Sequence, residues 1–333
     1  AEHVSSELHE VFARFELLTA MAWLYFQRER VEVAVFEAGI GGRFDTTRLA
    51  RPRITAITSL DLEHKEILGD TLELIFADKL VLTTAGGQCF ASLPDDSRLR
   101  RQCRELAELR NIEPILLDEL WPELEYEELP TGCWLRLSPE RERIRLPLAG
   151  EWQARNAALA IAIAREVIAR PIDVAGLAFS DVSVPGRFEV VRSSPRVIVD
   201  AAHTPDALAH IISQLLRRST SGAPLYPERV ILVGVSENKP VEQMVDLLSK
   251  VPAVFFVSAS AHGGAEPERI ATLLRKHGAE VIASDSNLEA MVTAACAEAE
   301  RRSGTVFALG GLFFAADVAR VLRGESREEA VYL

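Results

Sequence analysis

Apolar runs rich in β-branched residues alternate with helical segments along nearly the whole of this chain, and that alternation confines it to one class of fold. In the second half the order is strand RVIVDA, helix DALAHIISQLLR, strand VILVGV, helix VEQMVDLLSK, strand AVFFVSA and helix PERIATLLRKH. Helix NLEAMVTAACAEAERR, strand TVFALGG and helix AADVARVLR complete it. Short continuous apolar runs suit strands buried on both faces, and such strands separated by helices build a parallel sheet with two covered faces. The first half follows the same scheme. Phe15, Leu18, Met21, Ala22 and Tyr25 recur at helical spacing between Phe12 and Arg30. Strands VEVAVFEAG and ITAITSL, helix Leu72 to Thr83, strand QCFASL, helix DDSRLRRQCRELAELR and strand EPILLDEL follow. Alternating residues from Tyr126 to Leu148, around a Pro-Thr-Gly turn, predict antiparallel hairpins, and QARNAALAIAIAREVI predicts an alanine-rich helix. SDVSVPGRFEV, with Pro185-Gly186, reads as a linker. The expected fold class is α/β, two doubly wound domains over 1–182 and 183–333.

A length of 333 residues is enough for two domains with cores of their own. The net charge of -12 argues against a nucleic-acid partner, because phosphate backbones reward clustered Lys and Arg. No apolar run approaches a membrane span, and the polar, acidic start AEHVSSELHEVF is unlike a signal peptide. Cys89, Cys103, Cys133 and Cys296 form no C-x-x-C pair, so they read as reduced, partly buried thiols of a cytosolic protein. A monomer acting on small molecules is expected.

The stretch VAVFEAGIGGRFDTT, Val33 to Thr47, carries the densest chemistry. It reads as a buried strand delivering Glu37 into a glycine turn, at the sheet edge where ligands gather in open parallel folds. A carboxylate there suits Mg2+, which takes a few oxygen ligands and keeps its waters. Gly39, Gly41 and Gly42 permit close backbone approach to a phosphate, although Phe44 stands where a dinucleotide fingerprint needs its third glycine. No G-x-x-x-x-G-K-[ST] loop accompanies this strand, and the chain has no Gly-Lys dipeptide at all. His64, just beyond ITAITSL, opens on the same edge and could share a divalent metal with Glu37, although a lone loop histidine is usually only exposed. Lys79 lies among Phe76, Leu80 and Val81, where an ammonium must snorkel outward beside Asp78 or have its chemistry altered. Arg187 could reach a phosphate or form a salt bridge. Asp200 could accept from a ribose hydroxyl, and Thr204 could cap the helix that Pro205 opens. Lys239 and Gly310-Gly311 mark further strand ends.

The order FELLTAMAWLYF, VAVFEAGIGGRFDTT, ITSLDLEHKEILGDTLELIFADK, GEWQARNAALA, PGRFEVV, VIVDAAHTPDA and VGVSENKPVEQM resembles the folylpolyglutamate synthase/dihydrofolate synthase family of the Mur ligase superfamily. The resemblance runs from about Phe12 to the C-terminus. It implies a truncated P-loop-type Mur ligase central domain followed by a Rossmann-like Mur ligase C-terminal domain. It implies ATP and Mg2+, with folate or pteroate and L-glutamate as substrates joined through an acyl phosphate. By the same resemblance Glu37 and His64 match metal ligands, and Lys79 a carbamylated lysine that is both catalytic and metal-supporting. Asn156, Arg187 and Asp200 match ATP contacts, and His203 a catalytic histidine. DAAHTP stands where the family has D-G-A-H-N-P, LGG where it has T-G-S, and GGRFDTTRL where it has GGRLDATN. The family's phosphate loop is expected ahead of residue 1, so this chain alone is expected to be inactive. The alternatives are a phosphate-loop-less paralogue acting as a binding or regulatory module, and a Mur-type ligase for a different carboxylate.

Overall fold

In the computed structural model the described residues are 13–62, 64–129, 132–138, 143–168, 179, 182–218, 222–260 and 263–325. They fall into two compact units. One takes the described residues within Ala1–Glu125, Arg136–Glu142 and Arg155–Ala175, the other those within Tyr126–Leu135, Arg143–Ala154 and Gly176–Leu333. Residues 1–12, Pro130 and Thr131 of the expected hairpin turn, and Ser180 and Asp181 of the expected linker lie outside the described residues.

The first unit begins with α1 (Arg14–Glu29), closed by Arg30 in the left-handed region. A 3-10 turn (Thr46–Ala50), β1 (Ile54–Ile57), α2 (Lys65–Leu68), α3 (Leu72–Leu80), β2 (Gln88–Ala91), α4 (Ser97–Leu109), β3 (Glu113–Leu116) and α5 (Leu117–Leu120) follow. β1, β2 and β3 are parallel neighbours in that order, with Ile54 opposite Gln88 and Gln88 opposite Glu113. α3 and α4 start where polar side chains satisfy their free amides. Thr71 Oγ1 accepts from Leu74 N at 3.3 Å, and Asp96 Oδ1 accepts from Arg98 N and Leu99 N at 2.8 and 3.1 Å. Ile57, Leu60, Ile75, Phe76, Leu80, Cys89, Leu99 and Cys103 make the core beneath them.

One expected strand is absent. Residues 33–38 are extended, but no described strand pairs with them, and Val35 is 86 % exposed. A strand exists through its ladder of hydrogen bonds, and without a described neighbour Val31, Val33 and Val35 all stay exposed. Phe36 is the residue that holds here, packed between Trp23 and Phe26 of α1 at ring-centroid distances of 5.9 and 5.5 Å.

The second unit contains a small sheet of β4 (Glu125–Leu129), β5 (Gly132–Arg136) and β6 (Ile144–Leu146), with β5 and β6 antiparallel as the alternation predicts. The first turn of α6 (Glu151–Ile168) belongs to this unit and the remainder to the other. Then come β7 (Glu189–Ser193), β8 (Arg196–Asp200), α7 (Pro205–Leu215), β9 (Arg229–Val233), α8 (Val241–Ser249) and β10 (Val254–Val257). α9 (Pro267–Lys276), β11 (Glu280–Ser284), α10 (Leu288–Arg302), β12 (Thr305–Leu309) and α11 (Leu312–Arg323) close the described chain. The sheet order is β11-β10-β9-β12-β8-β7, parallel except for β7.

Ile198, Ile231, Val233, Phe255, Phe307 and Leu309 face one buried layer, and Val197, Val199, Val230, Leu232, Phe256 and Val306 the other. Two-sided burial is why β8, β9, β10 and β12 read as unbroken apolar runs. Each such side chain fully removed from water contributes roughly 1.5–3 kcal/mol, so these strands dominate the unit's stability. β7 and β11 were not predicted, because edge strands are covered on fewer sides and carry no such run. All four cysteines are free and buried, and burial raises their thiols, Cys89 to about 11 and Cys103 and Cys133 to about 12. No described helix is long and apolar enough to cross a membrane.

Candidate functional site

Three pieces of the first unit meet at the glycine turn that follows Glu37. Gly41 has a φ of +66°, and a Cβ there would fall 2.3 Å from Asp78 Oδ2 of α3 and 2.5 Å from Leu68 Cδ2 of α2. At Gly42 a Cβ would fall 2.5 Å from the Asp78 carbonyl oxygen and 3.0 Å from that of Lys79. Only glycine allows so close an approach. The turn is thereby seated between α2, which starts after His64, and the helical turn that bears Lys79.

Two aspartates hold it. Asp45 Oδ2 accepts from Gly39 N at 2.7 Å and Ile40 N at 3.2 Å, while its Oδ1 accepts from Thr47 N at 2.9 Å. Asp78 Oδ2 accepts from Gly42 N at 2.8 Å and Arg43 N at 3.3 Å, and its Oδ1 lies 3.6 Å from Arg43 Nε. The amides of Gly39, Ile40, Gly42 and Arg43 are committed to these carboxylates, and Gly41 and Gly42 serve close packing.

Glu37 is exposed and its side chain makes no hydrogen bond or ion pair among the described residues. His64 is the N-cap of α2 with a φ of +50°, half exposed, its Nδ1 4.0 Å from Glu66 Oε1. Lys79 is half-buried and has no carboxylate partner among the described residues, because Asp78 faces the turn and not the lysine. No three of His, Cys, Asp and Glu gather into a metal-holding group among the described residues. Glu37 and His64 supply one free carboxylate and one imidazole, a partial donor set for a hard cation that keeps several waters.

Asn156 sits half-buried on α6, beside a network that fixes the helix against the carboxyl ends of β2 and β3. Arg155 Nε donates to Ser92 Oγ at 3.0 Å and its Nη2 to Asp118 Oδ2 at 3.0 Å, and Arg100 Nη2 reaches the same carboxylate at 2.8 Å. The carboxyl edge is where open parallel sheets take ligands.

In the second unit, Arg187 is exposed on the loop before β7. Asp200, 4 % exposed at the end of β8, accepts from Phe188 N and Ala202 N, each at 2.8 Å. Burial raises its carboxyl above the ordinary value, while the two amides and Arg187 oppose that rise. Asp200 thus anchors the loop carrying Arg187, a task not evident from sequence. Asp200→Asn leaves one amide facing an NH2 donor, so thermal unfolding is expected to show a loss of about 1–3 kcal/mol. His203 Nδ1 lies 3.1 Å from Ala201 O, and a Cβ on Gly311 would sit 3.9 Å from His203 Cβ. Thr204 caps α7 through Ala207 N at 3.2 Å, ahead of Pro205, as expected.

Asp45, Asp78 and the Arg155–Asp118 pair are the site residues that sequence reading missed. Asp78 did carry a signal, being an acidic residue inside an apolar helical run.

Residues 186–311 match the Mur ligase glutamate ligase domain. The Haloferax volcanii protein named probable bifunctional folylpolyglutamate synthase/dihydropteroate synthase is 28% identical over 312 residues, covering 91% of this chain and 36% of that protein. The Bacillus subtilis dihydrofolate synthase/folylpolyglutamate synthase is 32% identical over 258 residues, covering 73% of this chain and 58% of that one. The chain therefore spans less than two thirds of the length of these relatives. Among solved structures, Mycobacterium tuberculosis folylpolyglutamate synthase complexed with ADP and AMPPCP superposes with a TM-score of 0.80 at 25% identity. That match covers 97% of this chain and 75% of the other.

Proposed function

Because this chain carries a Mur ligase glutamate ligase domain and is homologous to the folylpolyglutamate synthase/dihydrofolate synthase family, we propose that its protein is an ATP-dependent carboxylate–amine ligase adding L-glutamate to a folate or dihydropteroate. The observation that carries the reading is the meeting of the Glu37 turn, α2 behind His64 and the Lys79 turn of α3 in one cluster. These are the positions that the family resemblance gives to the metal and the modified lysine.

In this reading the substrate carboxylate attacks the γ-phosphorus of ATP, ADP leaves, and an acyl phosphate forms. The glutamate amine then attacks the acyl carbon, phosphate leaves, the nitrogen loses a proton and an amide remains. Glu37 and His64 would hold Mg2+, and carbamylated Lys79 would complete the donor set. Such a cation supplies charge neutralisation at the transferring phosphoryl group. Asn156 would orient the nucleotide, and Arg187 would meet a phosphate with its always-charged fork. Asp200 would hold Arg187 in place, and each of its oxygens keeps a second lone pair for a ribose hydroxyl. His203 would serve the reacting groups. The domain boundary near residue 182, a monomeric state and a cytoplasmic setting belong to the same proposal.

The test is ADP release that depends on both L-glutamate and a folate, in the protein expressed from its complete reading frame. Release at the same rate without either substrate overturns the ligase reading. The 333 residues contain no G-x-x-x-x-G-K-[ST] loop, so by themselves they are expected to release no ADP. Folate-dependent release from them alone overturns that clause.

A further inference from the structure

We propose that Asp78 is a positioning residue of this site, registering the Glu37 turn against the helical turn of Lys79; the role rests on the metal-site reading above. Asp78 is 8 % exposed, and a carboxylate so buried requires strong partners. Its partners are the Gly42 and Arg43 amides and the Arg43 guanidinium, all on the turn and none on α3 itself. The contact is therefore specific between a loop and a helix that are 36 residues apart in sequence.

Both neighbouring glycines fit that contact. A methyl group at Gly41 would strike the Asp78 carboxylate, and one at Gly42 the Asp78 and Lys79 carbonyls. Because residues 33–38 have no sheet partner, no strand ladder locates Glu37 among the described residues. Glu37 instead lies between Phe36, packed on α1, and the turn, and the turn is held by Asp45 and Asp78. Asp45 closes the turn on itself; Asp78 alone of the two ties it to the element bearing Lys79. The same commitment leaves Lys79 without a carboxylate partner among the described residues.

Mn2+ titration of the 333-residue chain, followed by the electron paramagnetic resonance signal of the free ion, tests this role. Asp78→Ala is expected to weaken Mn2+ binding about tenfold or more, the range for residues that orient metal ligands. Asp78→Asn keeps one oxygen for the two amides and is expected to bind Mn2+ much as the wild type does. Should Asp78→Ala not fold, Asp78→Glu replaces it, with the same expected weakening because the extra methylene shifts the turn. Glu37→Ala is the control. If Glu37→Ala weakens binding and Asp78→Ala does not, even with a lowered melting temperature, Asp78 is merely structural and the positioning role is overturned. If Glu37→Ala leaves binding unchanged, or the wild type binds no Mn2+, the metal-site reading falls and takes this role with it.

Discussion

Replacing Lys79 with alanine is expected to lower glutamate ligation by roughly two to three orders of magnitude, the loss seen when one group stabilising developing charge is removed. The fold is expected to survive. Lys79 lies in the last turn of α3, and alanine is the best helix former, so the helix itself loses nothing. The side chain is only half-buried, and among the described residues it forms no ion pair that the substitution would break. The packing of α3 rests on Ile75, Phe76 and Leu80, which are buried and unchanged.

A large loss of rate with a small shift in melting temperature is therefore the signature of a chemical role for the amine. In the proposed reading Lys79 would be carbamylated: its amine nitrogen would bond to the carbon of CO2, a proton would leave to solvent, and a cation would become an anion. Measured in the protein expressed from its complete reading frame, turnover retained within a fewfold of wild type rejects that role. A collapse of turnover together with a collapse of the melting temperature assigns Lys79 to the fold instead.

Sequence and structure agree where two-sided burial imposes a pattern and diverge where a residue's partner is remote. The central strands β8, β9, β10 and β12 were legible because each face of each strand meets a helix layer, which forces continuous apolar runs. Edge strands β7 and β11 lack that pressure and were not. VAVFEAG carries the composition of a buried strand, yet strand structure depends on a neighbour, and no described strand lies beside it. Among site residues, Glu37, His64 and Lys79 stand out by type and local setting. The seating of the glycine turn between Leu68 of α2 and the Asp78–Lys79 turn of α3 depends on Gly41, Gly42 and Asp78, whose contacts span tens of residues and leave no periodic trace. Asp200 was legible as unusual but not as an anchor, since its partners are main-chain amides that any residue supplies.

The second large effect lies at the carboxyl edge of the six-stranded sheet. Gly310→Ala is expected to destabilise the chain by about 3 kcal/mol or more, combining backbone strain with overpacking against a rigid neighbour. Gly310 follows β12 with a φ of +130°, a conformation side chains with a Cβ rarely adopt. The added methyl would also lie 2.3 Å from the Gly234 carbonyl oxygen and 2.8 Å from its carbon. Those atoms follow β9, whose ladder with β12 keeps them from moving aside. Gly234 is itself constrained, since a Cβ there would strike the Phe314 ring at 2.3 Å. The two glycines together let the first turn of α11 settle on the sheet end, with Gly311 beside His203.

Gly278 provides the comparison: its φ is +82°, but nothing lies within 4 Å of its missing Cβ. Gly278→Ala should therefore show the strain alone, about 1–2 kcal/mol. For a unit of this size the Gly310 variant should melt roughly 10 °C below wild type by calorimetry, and clearly below the Gly278 variant. Equal melting of the two variants would mean that β9 and β12 yield to the methyl, and that the close approach at this edge is not rigid.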